Sequence, residues 1–320
     1  DLDADRAKAK AQEWGVPRPC SVDDLIADPE IEIVLNLTIP AAHAPVSLRA
    51  IEAGKHVYAE KPLAIDPEEG RRVIQAAKSK GVLVGNAPDT FFGAGHQTAR
   101  KLIDDGVIGR PVAAMALMLG RGHETWHPSP EFYYKPGGGP MLDMGPYYVT
   151  DLLQLIGAPR RVTGFTSIAI PQRTITHGDG QGGKGPLYGK KIKVETPDHV
   201  AGQIDFVNGC VATIVTSFAT AHSPFSQPIT IFGTEGTLKV PDPNGFDGPV
   251  EVRRLEDEQW EQVEPTHPSG FGRSVGLADM AYAVRTGRDH RASGERALAV
   301  LEVMDGFLKS SDRGEAIDIT

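Results

Sequence analysis

Residues 31–86 read IEIVLNLTIPAAHAPVSLRAIEAGKHVYAEKPLAIDPEEGRRVIQAAKSKGVLVGN, and two patterns alternate along them. Ile31 to Leu37 (IEIVLNL) is rich in branched apolar residues, the composition of a strand. Residues 41–53 follow as a helix stopped by Gly54, and Lys55 to Ala59 (KHVYA) is a second strand. Asp66-Pro67-Glu68-Glu69 opens the next helix with a capping side chain, proline at N1 and glutamate at N3. Val73, Ile74 and Ala77 form its inner stripe, Gly81 ends it, and Val82 to Val84 is a third strand. Strands joined by helices of this length predict a parallel sheet covered on both faces, the α/β Rossmann-type arrangement. Upstream, residues 4–14 read as a helix ended by Gly15, and Ser21 caps a short helix that stops before Pro29.

Beyond residue 110 the rhythm changes. Strand-like runs at 111–119, 160–170, 199–207, 210–219, 228–232 and 249–255 are linked by turns such as Asn208-Gly209, with helices near 142–156, 272–286 and 294–310. The expectation is an α/β chain: a Rossmann-type parallel sheet over 1–88, followed by an α+β domain with a large, mostly antiparallel sheet over 89–320. The length of 320 residues, more than one core usually serves, agrees with two domains. Lys and Arg total 33 against 42 Asp and Glu, a net charge of −9, which disfavours a nucleic-acid partner. No apolar run has the length of a membrane span. Cys20 and Cys210 are too few for a disulfide framework or a zinc site, which points to a reducing, cytoplasmic setting and no metal. Gly178 to Gly185 reads as a mobile loop, and the acidic run Glu251 to Glu264 as a solvated edge hairpin.

Glu60-Lys61-Pro62 stands at the carboxyl end of the second strand, where open parallel sheets bind ligands. A lysine before a proline has a restricted, non-helical backbone, so its amine is aimed at the crevice and can trade a proton with a substrate hydroxyl. A surface Lys-Glu pair at a turn is the plainer alternative. Asp143 and Tyr147, spaced at i and i+4, share a face of the helix near 142–156, and Asp151 continues it. The Gly-rich loop Lys135 to Gly139 delivers that helix. Tyr147 could shuttle a proton beside Lys61 or be a satisfied core tyrosine; Asp143 could bind a substrate hydroxyl, orient Lys61 or only mark a helix start. Asp89 and Thr90 suit sugar hydroxyls, though a loop cap is the commoner role. Trp126 and His127 could wall a sugar face or belong to a packed loop.

The run Val34 to Pro62 resembles the Gfo/Idh/MocA family of NAD(P)-dependent oxidoreductases. The resemblance rests on Thr38, His43, Ala53-Gly54-Lys55-His56-Val57 and Glu60-Lys61-Pro62, all at the family's spacing. Gly137-Gly138-Gly139-Pro140-Met141-Leu142-Asp143-Met144-Gly145 and Phe232-Gly233-Thr234-Glu235-Gly236-Thr237-Leu238 extend it over nearly the whole chain. Ile39 and Pro40 depart from the family's usual Pro and Asn. The resemblance implies an NAD cofactor, with NADP an alternative, and Lys61 as a catalytic, nicotinamide-side residue. It places Thr38, Pro40, His43 and Glu60 along the cofactor and matches Asp1 to the acidic residue that binds the adenosine ribose. Many members carry His at the position of Tyr147; a tyrosine there resembles the glucose–fructose oxidoreductase branch, which implies an acid/base role for Tyr147.

No Gly-x-Gly-x-x-Gly turn stands between a first strand and a helix, so the expectation is that roughly thirty residues precede Asp1 in a full dinucleotide unit. Without them the chain should hold NAD poorly. The function expected is hydride transfer between a nicotinamide and a CH–OH group of a sugar, cyclitol or related polyol. The alternatives are a glycosidase-type member of the same family and a non-catalytic, dinucleotide-responsive protein. The open face of the C-terminal sheet is expected to pair with a second subunit, giving a homo-oligomer.

Overall fold

The computed structural model describes residues 1–178, 183–223 and 226–319. Asp3 caps α1 (Ala4–Trp14) by accepting hydrogen bonds from the amides of Asp5 and Arg6, and Ser21 caps α2 (Val22–Ala27). The strand–helix rhythm then follows as β1 (Ile33–Asn36), α3 (Pro40–Glu52), β2 (His56–Ala59), α4 (Pro67–Lys80) and β3 (Val84–Asn86). The three strands pair in parallel in the order β1-β2-β3. Asp66 caps α4 through the Glu69 amide, and the stripe Val73, Ile74 and Ala77 is buried. The third strand starts at Val84 rather than Val82, because the Val82 amide closes the end of α4 on the Ala77 carbonyl.

The second half comprises α5 (Ala94–Asp104), β4 (Pro111–Leu119), α6 (Gly139–Asp143), α7 (Gly145–Ile156), β5 (Pro159–Ser167), β6 (Gln172–Thr174), β7 (Lys191–Lys193), β8 (His199–Phe206) and β9 (Val211–Ser217). It continues through β10 (Ile229–Gly233), β11 (Gly236–Val240), β12 (Val250–Arg254), β13 (Glu261–Val263), α8 (Val275–Thr286), α9 (Gly294–Arg313) and β14 (Ile317–Asp318). Nine strands form one sheet in the order β13-β12-β11-β10-β4-β9-β8-β5-β14. Every neighbouring pair runs antiparallel except β4 and β9, which are parallel. The Asn208-Gly209 turn closes the β8–β9 hairpin with Gly209 at φ 85°. The strand β11 was not among the expected runs, and the acidic run forms the edge hairpin of β12 and β13.

One expectation fails in a way that matters for the site. The helix near 142–156 is broken: α6 ends at Asp143, Met144 forms the joint, and Pro146 lies in the first turn of α7. A proline there has no N–H to continue the preceding turn, so the helix restarts. Asp143 and Asp151 therefore do not share one helical face.

The division near residue 88 separates the two sheets, but the end of the chain returns to the first. The Asn86 amide donates to the Ala292 carbonyl at 3.0 Å, and α9 packs against α4, α7 and β5. Apolar residues from both halves, among them Val34, Val57, Leu152, Val200 and Val303, belong to one continuous core. Residues 179–182 of the glycine stretch expected as a mobile loop lie outside the described residues. Among the described residues no helix is long and apolar enough to cross a membrane.

Candidate active site

Strand β2 ends at Ala59, and the chain turns through Glu60 and Lys61 into a cis Lys61–Pro62 bond. Two side chains hold this turn. The Asn86 amide, at the end of β3, donates to the carbonyls of Ala59 and Glu60 at 3.0 and 2.9 Å. The Glu60 carboxylate accepts from the Lys61 amide at 3.0 Å. From this fixed base the Lys61 ammonium reaches across to the second half, donating to the Asp143 carbonyl at 2.6 Å and to Asp143 Oδ1 at 2.7 Å. Both side chains are only 15% exposed, so the pair is shielded far more than a surface ion pair.

The other carboxylate oxygen, Asp143 Oδ2, accepts from His123 Nε2 at 2.8 Å. Burial pushes the Asp143 carboxyl upward, but the His123 hydrogen bond and the Lys61 ammonium outweigh it and hold the group below its ordinary range. Asp143 is thus a carboxylate with one donor on each oxygen. Tyr147 completes the cluster. Its ring is 5.2 Å from Lys61 Nζ and 5.4 Å from the Arg273 guanidinium. It is buried, and its hydroxyl has no hydrogen-bond partner among the described residues, unlike a satisfied core tyrosine.

His123 was not singled out in the sequence. It lies 20 residues before Asp143 on the loop after β4, so no helical or strand period links the two. Its ring sits among Tyr133, Phe218 and Trp126, with centroids 4.1, 4.5 and 5.0 Å away. The only local signal is its place beyond the end of a strand of the large sheet.

The remaining expected residues divide by location. Trp126 is exposed and packs edge-on against the rings of both His123 and His127. Thr38 lies exposed on the lip after β1, its hydroxyl donating to Asn36 Oδ1 at 2.7 Å. Pro40 starts α3. His43 is buried, and its ring nitrogens face the carbonyls of Pro62 at 2.6 Å and Thr38 at 2.8 Å. It staples the lip after β1 to the lysine turn. Asp89 is buried with Oδ2 taken by the amides of Ser274 and Gly276, so it is the loop cap that starts α8. Thr90 is buried beside it. Asp1 accepts from the Asp3 amide and lies 3.7 Å from Arg6. Asp151, expected to continue the Asp143 face, bonds His96 at 3.0 Å in the core.

The crevice at the carboxyl ends of β1 to β3 has a lysine amine, an adjacent tyrosine and an exposed apolar lip, Leu37 and Ile39. Those groups fit the nicotinamide end of a dinucleotide, which needs an apolar flank and a proton-handling partner. The helices that follow the three strands begin at Pro40, Pro67 and Ala94, and none opens on the triple-glycine spacing that cradles a pyrophosphate.

Known proteins resemble this chain along its length. Residues 1–87 match the model described as "Oxidoreductase family, NAD-binding Rossmann fold", and residues 96–239 match the GFO/IDH/MocA C-terminal domain. The chain is 29% identical to 1,5-anhydro-D-fructose reductase of Ensifer adhaerens over 321 residues, 99% of this chain and 88% of that one. It is 29% identical to levoglucosan dehydrogenase of Pseudarthrobacter phenanthrenivorans over 228 residues, 67% of this chain and 56% of that one. A solved levoglucosan dehydrogenase, in complex with NADH and levoglucosan, superposes with a TM-score of 0.84 at 23% identity, covering all of this chain and 88% of that one. The chain belongs to the Gfo/Idh/MocA oxidoreductases, with the family's NAD-binding Rossmann domain matched over residues 1–87 and the family's C-terminal domain over residues 96–239.

Proposed function

We propose that this chain transfers a hydride between a nicotinamide coenzyme and a CH–OH carbon of a sugar, cyclitol or related polyol, with Lys61 exchanging the hydroxyl proton. The observation that carries this reading is the Lys61 ammonium held between two oxygens of Asp143, at the carboxyl end of a parallel strand. The coenzyme, when bound, supplies the hydride acceptor or donor. Lys61 in its amine form takes the hydroxyl proton as the carbon is oxidised, and its ammonium returns that proton in reduction. Asp143 orients the amine and, as a carboxylate, favours the ammonium that forms. Tyr147, whose ring lies 5.2 Å from Lys61 Nζ and whose hydroxyl has no partner among the described residues, would hydrogen-bond the reacting oxygen. Trp126 and His127 offer an aromatic wall to a sugar face.

The substrate class is supported by the relatives, whose names specify an anhydrofructose reductase and a levoglucosan dehydrogenase. The test is a panel of sugars and cyclitols with NAD and with NADP, followed by nicotinamide absorbance. Lys61→Met should abolish turnover while NADH binding, read by its fluorescence, is retained. Unchanged turnover in that variant would end the assignment. Substrate consumption without net NADH would favour the glycosidase-type reaction.

We also propose that the open face of the nine-stranded sheet meets a second copy of the chain. Met115, Phe165, Val211 and Phe232 project outward from it at 42%, 79%, 40% and 36% exposure, an apolar surface of the kind that marks an interface. Light scattering should give an oligomer for the wild type and a smaller species for Met115→Lys with Phe165→Asp. A monomeric wild type would refute this.

A further inference from the structure

We propose that Tyr134, held by a buried ion network of Glu124, Arg173 and Asp198, is a positioning residue for the catalytic pair and acts through His123. The inference rests on the roles given to Lys61 and Asp143 above. The Tyr134 hydroxyl accepts from the His123 amide at 2.9 Å and donates to Glu124 Oε2. The other Glu124 oxygen takes Arg173 Nη1 at 3.0 Å, and Arg173 Nη2 reaches Asp198 Oδ2 at 2.8 Å and the Phe218 carbonyl at 2.9 Å. Asp198 also accepts from the amides of Ala169 and Ile170. The set ends on His123 twice: through the Tyr134 hydroxyl on its backbone, and through Phe218, whose ring packs 4.5 Å from the imidazole.

Tyr134, Glu124, Arg173 and Asp198 are all buried, with exposures of 0%, 7%, 3% and 1%. Ions at this depth stabilise a fold less well than apolar residues of the same size, so stability alone is a poor account of them. What they supply is direction. Burial, together with the bond to Glu124, pushes ionisation of the Tyr134 hydroxyl far above its ordinary range, so it stays an O–H with one fixed orientation. Gly122 lacks a side chain where a Cβ would meet Tyr134 Oη, Glu124 Oε2 and Arg173 Nη1, which lets the loop close tightly over the network. Among the described residues His123 Nδ1 is buried without a partner and the ring makes a single directional bond, from Nε2 to Asp143. The path is continuous: Asp198, Arg173, Glu124, Tyr134, His123, Asp143, Lys61. If the Tyr134 hydroxyl is lost, the His123 amide is released and Asp143 loses the donor that sets its rotamer.

Tyr134→Phe removes one oxygen and keeps the packing. We expect kcat to fall about tenfold with KM nearly unchanged, the scale of an outer-shell orienting group. The pH profile of kcat should move in the same direction as in His123→Asn, and the double variant should be no slower than His123→Asn alone. A readout independent of activity is the ¹⁵N spectrum of the histidine rings in the unliganded protein. The His123 Nε2–H signal should be sharp in the wild type and broadened by solvent exchange in Tyr134→Phe. Glu124→Gln, which keeps an acceptor for the tyrosine, serves as the second variant and should show the same change in weaker form. A lowered melting temperature with kcat and the His123 signal unchanged would overturn the proposal, as would losses that multiply in the double variant. If the wild type turns over no polyol, the substrate reading fails, and the ring-nitrogen spectra alone decide the positioning role.

Discussion

Replacing Asp143 by Asn tests the site most directly, because the substitution keeps the shape and changes only what the two oxygens can do. In the wild type, each carboxylate oxygen accepts one donor, Lys61 Nζ at 2.7 Å and His123 Nε2 at 2.8 Å. An amide has one oxygen and one NH₂ group. If its oxygen faces Lys61, the NH₂ confronts His123 Nε2–H, and the ring must move its proton to Nδ1, which is buried with no acceptor among the described residues. If the oxygen faces His123, the NH₂ confronts the ammonium. Either arrangement leaves one buried donor unpaired, a cost of about 1–3 kcal/mol. Removing one partner of a buried ion pair costs ~3–5 kcal/mol. Here Lys61 keeps the residue 143 carbonyl and some solvent, so the loss should be close to the lower end of that range. In catalysis the lysine loses the carboxylate that orients it, and kcat/KM should fall about 10²–10³-fold. The assay is initial-rate nicotinamide absorbance with the best polyol of the panel, alongside urea unfolding at neutral pH. A variant within about threefold of wild type in kcat/KM would refute the role given to this carboxylate.

Two further outcomes follow from the geometry. Gly122→Ala should destabilise the chain by about 1–3 kcal/mol through overpacking. The control Gly120→Ala, where a Cβ meets nothing within 4 Å, should change stability by less than about 0.5 kcal/mol; equal values by chemical unfolding would contradict this. In the core, burial pushes the His96 imidazole down, but the Asp151 carboxylate outweighs it and raises the group above its ordinary value of 6.5. A raised folded value means that the pair's stabilisation is complete below the ordinary value and is lost as pH rises through the folded one. The stability difference between wild type and His96→Gln should therefore be larger near about pH 6 than near about pH 9; a difference independent of pH would exclude the ionised pair.

The parallel sheet was legible because its signals are local: branched runs at β1 and β2, the Asp66-Pro67 start of α4, and the glycines that end the helices. Lys61 was legible for the same reason, being fixed by the end of a strand. Asp143 and Tyr147 were singled out as candidates for a partly mistaken reason. Their i, i+4 spacing suggested one helical face, but the break at Met144 puts Asp143 on a separate turn, and the two meet Lys61 because α6 and α7 both border it. Asp89 shows the reverse case: of its two readings, a sugar-hydroxyl ligand and a loop cap, the structure has the cap, on an element 185 residues away that no local pattern links to it. His123 and its supporting ions could not be read, since Arg173 lies 49 residues from Glu124 and only the folded sheet brings them together.

The contact between the lysine amine and residue 143 spans 82 positions and joins the segment carrying the parallel strands to the segment carrying the large sheet. On the role proposed for this pair, competence for chemistry depends on how these two segments pack together, and not on either alone. On that role, a shift of an ångström or two between Lys61 and residue 143 is expected to lower activity while leaving helices and strands intact. On gradual warming, inactivation should precede loss of secondary structure, and ligands that clamp the seam should narrow the gap between the two transitions.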